Sequence, residues 1–381
     1  MTQITWSIYN NRSGTTYTST ILSASYTYGR RGYLDNYPGG ALVVTIKNQS
    51  NETAGFQIND QIDFIGYLGV YQAWYQRYWI AEIQYQDYPG NVGLSTATVI
   101  AVDAMARLGR VLGQGNTLSA GTTGSQLDSM DTKSSWPPDI RTFANTTDSQ
   151  ASATTVTASW NNQINLLQTT EKGIITWSYG RDIRMSGRSY VVNLRPAFPV
   201  ALSRTANSST IGYQTFNRYI AGQNFVNTAV IQPAGLSEVT GANSTSVTTY
   251  GQNGITQSTV DTNATQAQGN ADWTGNALSD PYSLRFDVGF TDRSQTESTL
   301  LAFLQNVTGY GAQPYVITQL TYRVPGAGSD TTVEVVVEGF SVNVTPELSD
   351  WQFFLSPLAY YQFFTLDSAT LGILDTSRLG W

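Results

Sequence analysis

One stretch, Trp79–Gly113, constrains the fold of this chain more than any other, because it predicts strand, turn, strand and helix in one run. Side chains alternate over Trp79–Gln86 with the two-residue period of a β-strand. Pro89 and Gly90 break the alternation, since proline lacks an amide donor and glycine accepts a positive φ. Thr96–Val102 then predicts a second strand, apolar on both faces, as expected for the wall of a small barrel that is covered outside.

A short helix is expected to close this wall. Asp103 can accept hydrogen bonds from the first free amides of a helix, and Met105, Leu108 and Leu112 fall on one helical face. Gly113 suits the left-handed conformation that ends many helices. The stretch therefore predicts a barrel wall closed by a helix, which is a scaffold without a reactive group.

Composition favours a protein that works by surface contact. The 381 residues suffice for two or three domains with real cores. Charged residues make up only 12% of the chain, about half the usual quarter, so uncharged polar residues supply most of the polar surface. The net charge of −7 argues against non-specific nucleic-acid binding, which needs a basic field. The adjacent Arg30 and Arg31 keep a local basic patch open as an alternative.

The chain contains no cysteine and no histidine. Disulfides, thiolate nucleophiles and Ser-His-Asp chemistry are therefore excluded, together with most zinc, copper and iron sites. Only carboxylates, tyrosines, lysines and arginines remain as acids, bases or nucleophiles. We expect no cofactor, no metal centre and no enzymatic activity.

The sequence also predicts where the protein works. Its first residues lack the basic start and apolar run of a signal peptide, and no stretch approaches the ~20 apolar residues of a membrane span. A surface-type composition without an export signal fits a virion protein that is assembled in the host cytoplasm and released by lysis.

The fold class is expected to be mainly β with a few helices (α+β). Residues 1–113 predict a first helix-closed barrel domain, and residues 114–238 a connection followed by a smaller α+β middle region. Residues 239–357 predict a second helix-closed barrel domain. Residues 358–381 read as a C-terminal tail that docks on a neighbour.

Particular elements support that division. In the middle region, a helix begins after Ser159 and ends at Gly173, and residues 174–185 predict a hairpin. In the last third, residues 261–278 have helical spacing weakened by Gly269 and Gly275. Three further strands are predicted there, over residues 282–290, 315–324 and 331–344.

Aromatic residues form the candidate interface. The run from Tyr71 to Trp79 could be a carbohydrate platform, but we favour a subunit interface, because Tyr and Trp supply large rigid contacts. Asp35, Asn36 and Tyr37 could likewise contact a sugar, although they are more typical of a turn. The candidate interface residues are Tyr71, Trp74, Tyr75, Tyr78, Trp79, Trp351, Phe353, Phe354 and Trp381.

Two sets of acidic residues could carry chemistry. A pair for glycoside cleavage could come from Glu82, Asp87 and Asp103. Calcium ligands could come from Glu52, Asp60 and Asp63. We favour structural roles for both sets: the first suits a strand face, a turn and a helix cap, and the second suits solvated strand ends without an EF-type loop.

Five different motifs, taken in order along the sequence, cover most of the chain. They are Gly29-Arg30 with Gly39-Gly40 before the strand ALVVTIKN; Asp103–Leu108; Glu171 and Gly173 before ITWSYGRDIRM; Ser246–Gly251 before an alanine-bearing helix and the strand opened by Pro281 and Arg285; and Trp351 with Phe353–Pro357, Leu366-Asp367 and LGILDTSRLGW. Together they resemble the baseplate-hub or tail-hub family of long-tailed bacteriophages, also called minor tail proteins. The second motif is similar to the family's DALARL helix. The departure is the glycine-rich helix before Leu278, with its long polar loops.

The resemblance implies a structural virion protein, a hub that links the tail tube to the tail tip or fibre and surrounds the DNA channel. It implies a homotrimer in which each chain supplies two tube-like barrels. Six barrels would then match the distal tail-tube protein on one side and a threefold tail-tip or fibre protein on the other. DNA or the tape-measure protein would pass through the lumen without specific binding. An acidic lumen wall would repel DNA and let it slide.

The alternative function is a carbohydrate-binding or carbohydrate-cleaving phage surface protein, either an adhesin or a depolymerase. It would need clustered carboxylates in an aromatic-lined groove.

Overall fold

The computed structural model describes residues 3–18, 20–133, 142–146, 149–178, 182–187, 200–220, 225–280, 284–308 and 317–361. Over these residues the chain is mostly β-structure with a few helices, as the alternating patterns predict. The strands are β1 Thr5–Asn10, β2 Thr15–Tyr17, β3 Ile21–Gly29, β4 Ala41–Lys47, β5 Gln61–Leu68, β6 Tyr71–Gln86, β7 Thr96–Val102, β8 Thr117–Leu118, β9 Gly121–Thr122, β10 Thr142–Thr146, β11 Gln150–Ala151, β12 Thr154–Thr155, β13 Ile174–Ser178, β14 Asp182–Ser186, β15 Ala201–Ser203, β16 Thr210–Gly212, β17 Thr215–Ile220, β18 Thr228–Pro233, β19 Val239–Ala242, β20 Gly254–Thr259, β21 Leu284–Thr291, β22 Ile317–Tyr322, β23 Thr331–Val344 and β24 Ser349–Pro357. The helices are α1 Ala104–Leu108, α2 Thr123–Lys133, α3 Trp160–Glu171, α4 Ser244–Tyr250, α5 Ala264–Ala277 and α6 Glu297–Thr308.

One sheet joins the first third of the chain to the last third. Fourteen of the described strands pair in the order β16-β15-β22-β23-β3-β4-β7-β6-β5-β1-β2, with β24, β21 and β17 extending as a branch from β23. The long strand β23 makes the junction, since residues 331–336 pair with β22 and residues 339–344 pair with β3. We refer to this assembly as the large sheet.

Glycine explains how β3 and β23 approach each other. Gly29 has φ +75°, and a Cβ placed on it would lie 2.3 Å from the carbonyl oxygen of Glu338. A side chain there would force the two backbones apart, because L residues rarely adopt that φ and the neighbour is main chain. The Gly29-Arg30 motif therefore marks the end of the pairing between two strands that are distant in sequence.

The predicted barrels are only partly visible in this architecture. The strands expected in two separate domains lie in one sheet, and the pairings among the described residues do not close it into a barrel. Two tube-like barrels, and domain limits at residues 113, 238 and 357, remain predictions.

Aromatic side chains fill the core of the large sheet. Trp74 lies fully buried on β6, with its ring centroid 5.4 Å from Tyr26, 5.0 Å from Phe340 and 5.2 Å from Trp351. These separations fall in the range that aromatic pairs prefer. Because the three partners come from β3, β23 and β24, one cluster ties both ends of the chain together.

The opening stretch folds largely as expected. Strand β7 has the predicted limits, and Asp103 caps α1 by accepting from the backbone amide of Ala106. Two details were wrong: β7 buries only alternate residues, and α1 ends at Leu108, with Gly109 rather than Gly113 at its C-cap. Gly113 instead donates its amide to the carbonyl of Ala158.

A second layer lies beside the large sheet. Helix α3, the β13–β14 hairpin and part of α5 share a hydrophobic cluster that includes Trp160, Ile164 and Trp273. Residues 225–280 form a smaller unit, in which strands β19-β18-β20 form a sheet and α5 packs on it. We call it the small-sheet unit. In the described ranges, no helix is long and apolar enough to cross a membrane.

Candidate assembly surfaces

Most of the predicted interface aromatics are buried inside the chain itself. Six of them are buried within the chain: Trp74, Tyr78, Trp79, Trp351, Phe353 and Phe354. Tyr78 and Trp79 are neighbours on β6, as are Phe353 and Phe354 on β24, so both faces of these strands are covered there. Their burial gives these six a role in the core of the fold, and an interface role for them stays a prediction.

The remaining predicted interface residues have different positions. Tyr71 is 59% exposed at the start of β6, and Tyr75 is half-buried with its hydroxyl accepting from Arg77 at 2.8 Å. Trp381 lies outside the described residues. An interface role for these three stays a prediction.

The outer end of the β6–β7 hairpin carries exposed apolar side chains instead. We call residues 85–94 the hairpin tip. There Tyr85 is 52% exposed, Val92 62% and Leu94 56%, and Tyr88 is exposed as well. Several apolar side chains exposed side by side on one projection are typical of a protein contact surface.

Strand β6 also leaves hydrogen-bonding groups open beside this tip. Its first half pairs with β5 and its second half with β7, so each half has one partner strand among the described residues. Helix α6 lies against the first half, where Gln305 Nε2 donates to the Gln72 carbonyl at 3.0 Å. The second half has a free edge, which can accept another strand.

The carboxylates considered for glycoside cleavage have the structural roles that we favoured. Asp103 is buried, and its two oxygens accept from the backbone amides of Gly40 and Ala106, both at 2.8 Å. Glu82 and Asp87 are exposed, and Glu82 accepts from Gln84 at 2.8 Å. A buried cap and two solvated groups do not make an acid–base pair in a groove.

The carboxylates considered as calcium ligands have other partners, and the prediction of solvated strand ends was wrong for Asp60 and Asp63, which are buried. Asp60 pairs with Arg12 at 2.7 Å, and Asp63 pairs with Arg77, whose Nη2 donates at 2.9 Å. Glu52 accepts from the backbone amide of Ser50. Within the part of the chain that the structure describes, no group of three or more acidic residues is arranged to hold a metal ion.

A buried ionic cluster lies where the pairing of β3 with β23 ends. Arg30 Nε donates to Glu338 at 2.8 Å, and its Nη2 donates to the Tyr361 hydroxyl at 2.8 Å. That hydroxyl donates in turn to the second carboxylate oxygen of Glu338 at 2.6 Å. The guanidinium also lies 4.7 Å from the ring centre of Tyr37. Each charge therefore has a partner, as burial requires.

Nearby groups keep Arg30 charged. Burial alone lowers the pKa of Arg30, but the nearby Glu338 carboxylate and the tyrosine hydroxyls outweigh it and hold that pKa well above its usual value. Burial raises the pKa of Tyr361, which therefore remains a protonated donor.

Sequence reasoning missed this cluster. Arg30 was considered part of a basic surface patch, yet only 2% of it is exposed, and the neighbouring Arg31 lies over the ring of Phe354 at 5.0 Å. The signal that could have indicated a buried Arg30 was its place directly after Gly29, a glycine required where two paired strands approach closely. Glu338, by contrast, sits in a polar position of an alternating strand, which gives no hint of burial.

Comparison with known proteins identifies the fold. No family model and no curated protein matches the sequence. The structure is similar to the tail protein from Neisseria meningitidis MC58, with a TM-score of 0.62 and 10% identity over 93% of this chain and 96% of that chain. It is similar to the prophage MuSo2 43 kDa tail protein from Shewanella oneidensis, with a TM-score of 0.58 and 12% identity over 94% and 99%.

A secretion-system protein shares the architecture. It is an Escherichia coli component of the type VI secretion system, described as structurally similar to the T4 bacteriophage tail proteins gp27 and gp5. The TM-score is 0.50 and the identity 8%, over 89% of this chain and 73% of that chain. At identities this low, the likeness shows the fold alone.

Proposed function

We propose that this chain, which has the fold of phage tail and tail-hub-like proteins, is a structural tail subunit that acts as a hub. It would link the tail tube to the tail tip or fibre and surround the channel through which DNA passes. One observation carries the proposal: the likeness to the Neisseria and Shewanella tail proteins spans nearly the whole of each chain, at 93% and 96% for the first. The likeness therefore extends over the fold of each tail protein as a whole rather than over one part of it.

The proposed assembly is a homotrimer with two tube-like units per chain. The free edge of β6 and the apolar hairpin tip support contacts with further chains, because an open edge and exposed apolar side chains together favour strand pairing between molecules. On one side the ring would meet the distal tail-tube protein, and on the other the tail-tip or fibre protein.

The proposed channel carries DNA or the tape-measure protein without binding it. The net charge of −7 supports this, since an acidic wall repels the phosphate backbone. We expect Asp and Glu to outnumber Arg on the channel surface of the assembled ring. The protein would be made in the host cytoplasm and reside in the virion tail, with no enzymatic role.

The test is the mass and shape of the purified full chain at micromolar concentration. We expect a trimer by mass photometry and a ring in electron micrographs. The double variant Val92→Ser with Leu94→Ser should shift the mass toward monomer, whereas Leu112→Ser, which is 73% exposed elsewhere, should not.

A stable monomer at all concentrations, with no ring in micrographs, would contradict the hub proposal. Release of reducing sugars from host polysaccharide would instead favour the depolymerase alternative.

A further inference from the structure

A cleft outside the surfaces described so far lies between α3 and β20. Its volume is about 530 Å³, which is within the range of ligand sites. One wall is the α3 face from Asn161 to Thr169, the opposite wall is residues 255–258 of β20, and the loop 34–38 closes one side. None of the lining residues carries a charge.

The cleft meets β20 along its edge. Four consecutive residues of the strand line it, although successive side chains of a strand point to opposite faces. All four residues can line the cleft only if it faces the hydrogen-bonding edge of the strand. The two walls also match in length: four strand residues span roughly 13 Å, and eight residue steps of a helix span roughly 12 Å.

This edge of β20 has no partner strand among the described residues, and α3 lies across the cleft from it. Strand β20 pairs in parallel with β18, and no described strand pairs on its other side. In a parallel ladder, alternate residues turn their backbone groups away from the partner. Proteins usually guard such edges with charge, proline or a bulge, and the sequence GITQST contains neither a charge nor a proline.

Side chains around the cleft have unused polar groups. Asn36, Asn162, Thr256 and Ser258 are exposed and make no side-chain hydrogen bond within the described ranges. Ile255 and Leu166 add half-buried apolar surface. The cleft therefore suits an extended, uncharged polypeptide with small or aliphatic side chains.

The chain itself supplies a segment of that chemistry close by. The ring of Tyr361, the last described residue, lies 4.7 Å from Tyr33, and its hydroxyl binds Arg30, which stacks on Tyr37. Tyr37 lines the cleft. Residues 362–381 follow, and they contain the uncharged, proline-free run Ser368–Leu374. The seven Cα–Cα steps from Tyr361 to Ser368 can span roughly 23 Å when extended.

We propose that residues 368–374 add to the free edge of β20 as a further strand in the same molecule. Backbone hydrogen bonds would provide affinity, and the neutral walls would select the uncharged run. The C-terminal segment would thus dock on its own chain rather than on a neighbour. This inference does not depend on the proposed hub function.

The absence of native cysteine permits a direct test by crosslinking. Thr256→Cys is combined, one at a time, with cysteines at positions 369 to 373 in the full chain, followed by mild oxidation. We expect intramolecular disulfides at alternate positions, because a strand presents every second side chain to one face. The control replaces Thr256→Cys by Thr240→Cys, an exposed position on β19, and should give no crosslink.

Hydrogen exchange gives an independent readout. We expect Leu371→Pro, which disrupts the added strand, to speed amide exchange in residues 255–258 at least tenfold, while β21 and β24 keep their protection as the folding reference. Crosslinks found only between two chains, crosslinks equal to those of the Thr240→Cys control, or unchanged exchange in Leu371→Pro would each overturn the proposal.

Discussion

The large sheet and the small-sheet unit are built on opposite principles. The large sheet buries interlocked aromatic rings such as Trp74, Phe340 and Trp351. The core under α5 in the small-sheet unit consists of Ile231, Ala267 and Ala271, with Val239 packed against it. Side-chain hydrogen bonds take the place of apolar area there.

Asn227 shows how the small-sheet unit is held. Its Nδ2 donates to the Gly251 carbonyl at 2.7 Å, and its Oδ1 accepts from the Asn253 amide at 2.8 Å. Nearby, Ser246 Oγ donates to the Ser279 carbonyl at 2.6 Å. Apolar area tolerates small shifts, whereas a buried hydrogen bond needs its partner in place. We therefore expect substitutions in the large sheet to lower the free energy of unfolding according to the volume removed. In the small-sheet unit, the loss should depend on whether hydrogen-bond partners stay in place.

The largest effect is expected for Trp74→Ala in the large sheet. Removing a fully buried indole leaves a cavity among three aromatic partners and should lower the free energy of unfolding by about 3–5 kcal/mol. Denaturant titration measures the loss. Tyr71→Ala, exposed on the same strand, is the control and should change stability by less than about 0.5 kcal/mol. Equal losses for both variants would show that the aromatic cluster is not the main source of stability.

Asn227→Ala should follow, with a loss of about 2–3 kcal/mol. The substitution removes little apolar area but leaves the Gly251 carbonyl and the Asn253 amide, both in part-buried hydrogen bonds, without their partner. The measurement is again denaturant titration, with the exposed Asn162→Ala as control. A loss below about 0.5 kcal/mol, typical of a surface change, would show that the polar network contributes little.

Gly241→Ala tests how closely α5 lies on its sheet. A Cβ on Gly241 would lie 2.2 Å from the backbone carbon of Ala271, so the helix must move outward. We expect a loss of about 1–3 kcal/mol. Gly254→Ala in the same sheet meets only ordinary contacts and should be nearly neutral. Thermal unfolding of both variants checks the difference, and equal midpoints would contradict the close packing.

The smallest effect concerns pH. Burial raises the pKa of Asp261 above its ordinary value, against the lowering effect of hydrogen bonds from Thr259 and Asn270. A raised pKa stabilises the folded state at low pH, and this contribution is lost as the pH rises through the folded-state value. Asp261→Asn should therefore become more stable relative to the parent chain as the pH rises from 3 to 7.

Urea titrations across that pH range provide the measurement for Asp261→Asn. Asp272→Asn, at an exposed position, is the control for the loss of one carboxylate. A change in stability with pH no larger for Asp261→Asn than for Asp272→Asn would contradict the raised pKa of Asp261.

Local pattern predicted much of the fold. The alternation in β7 and β23 gave their limits, and α3, the β13–β14 hairpin and α5 lie where spacing placed them. Helix α5 continues through its glycines. Gly275 lies against β19 where a side chain would not fit, so the glycine is needed for packing and does not end the helix. The phage tail-protein fold that the motifs indicated is confirmed.

Other features depend on distance along the chain. Helix α6 was missed although Leu300, Phe303 and Leu304 have helical spacing, because the strands around it dominated the interpretation. The pairing of β3 with β23, and the Arg30–Glu338 ion pair, join residues about 300 positions apart. No local period contains that information. The burial of Trp74 and its aromatic neighbours was missed for the same reason: an aromatic run is equally compatible with a core and with a surface.

The pairing of β3 with β23 also fixes how long β3 must wait for its partner during synthesis. At about 5–20 residues per second, a ribosome needs roughly 15–60 s between making β3 and making the strand that covers it. During that interval the nascent edge, Ile21–Gly29, carries no charge to discourage neighbours. Translation speed and the crowding of polysomes should therefore govern the yield of correctly folded copies.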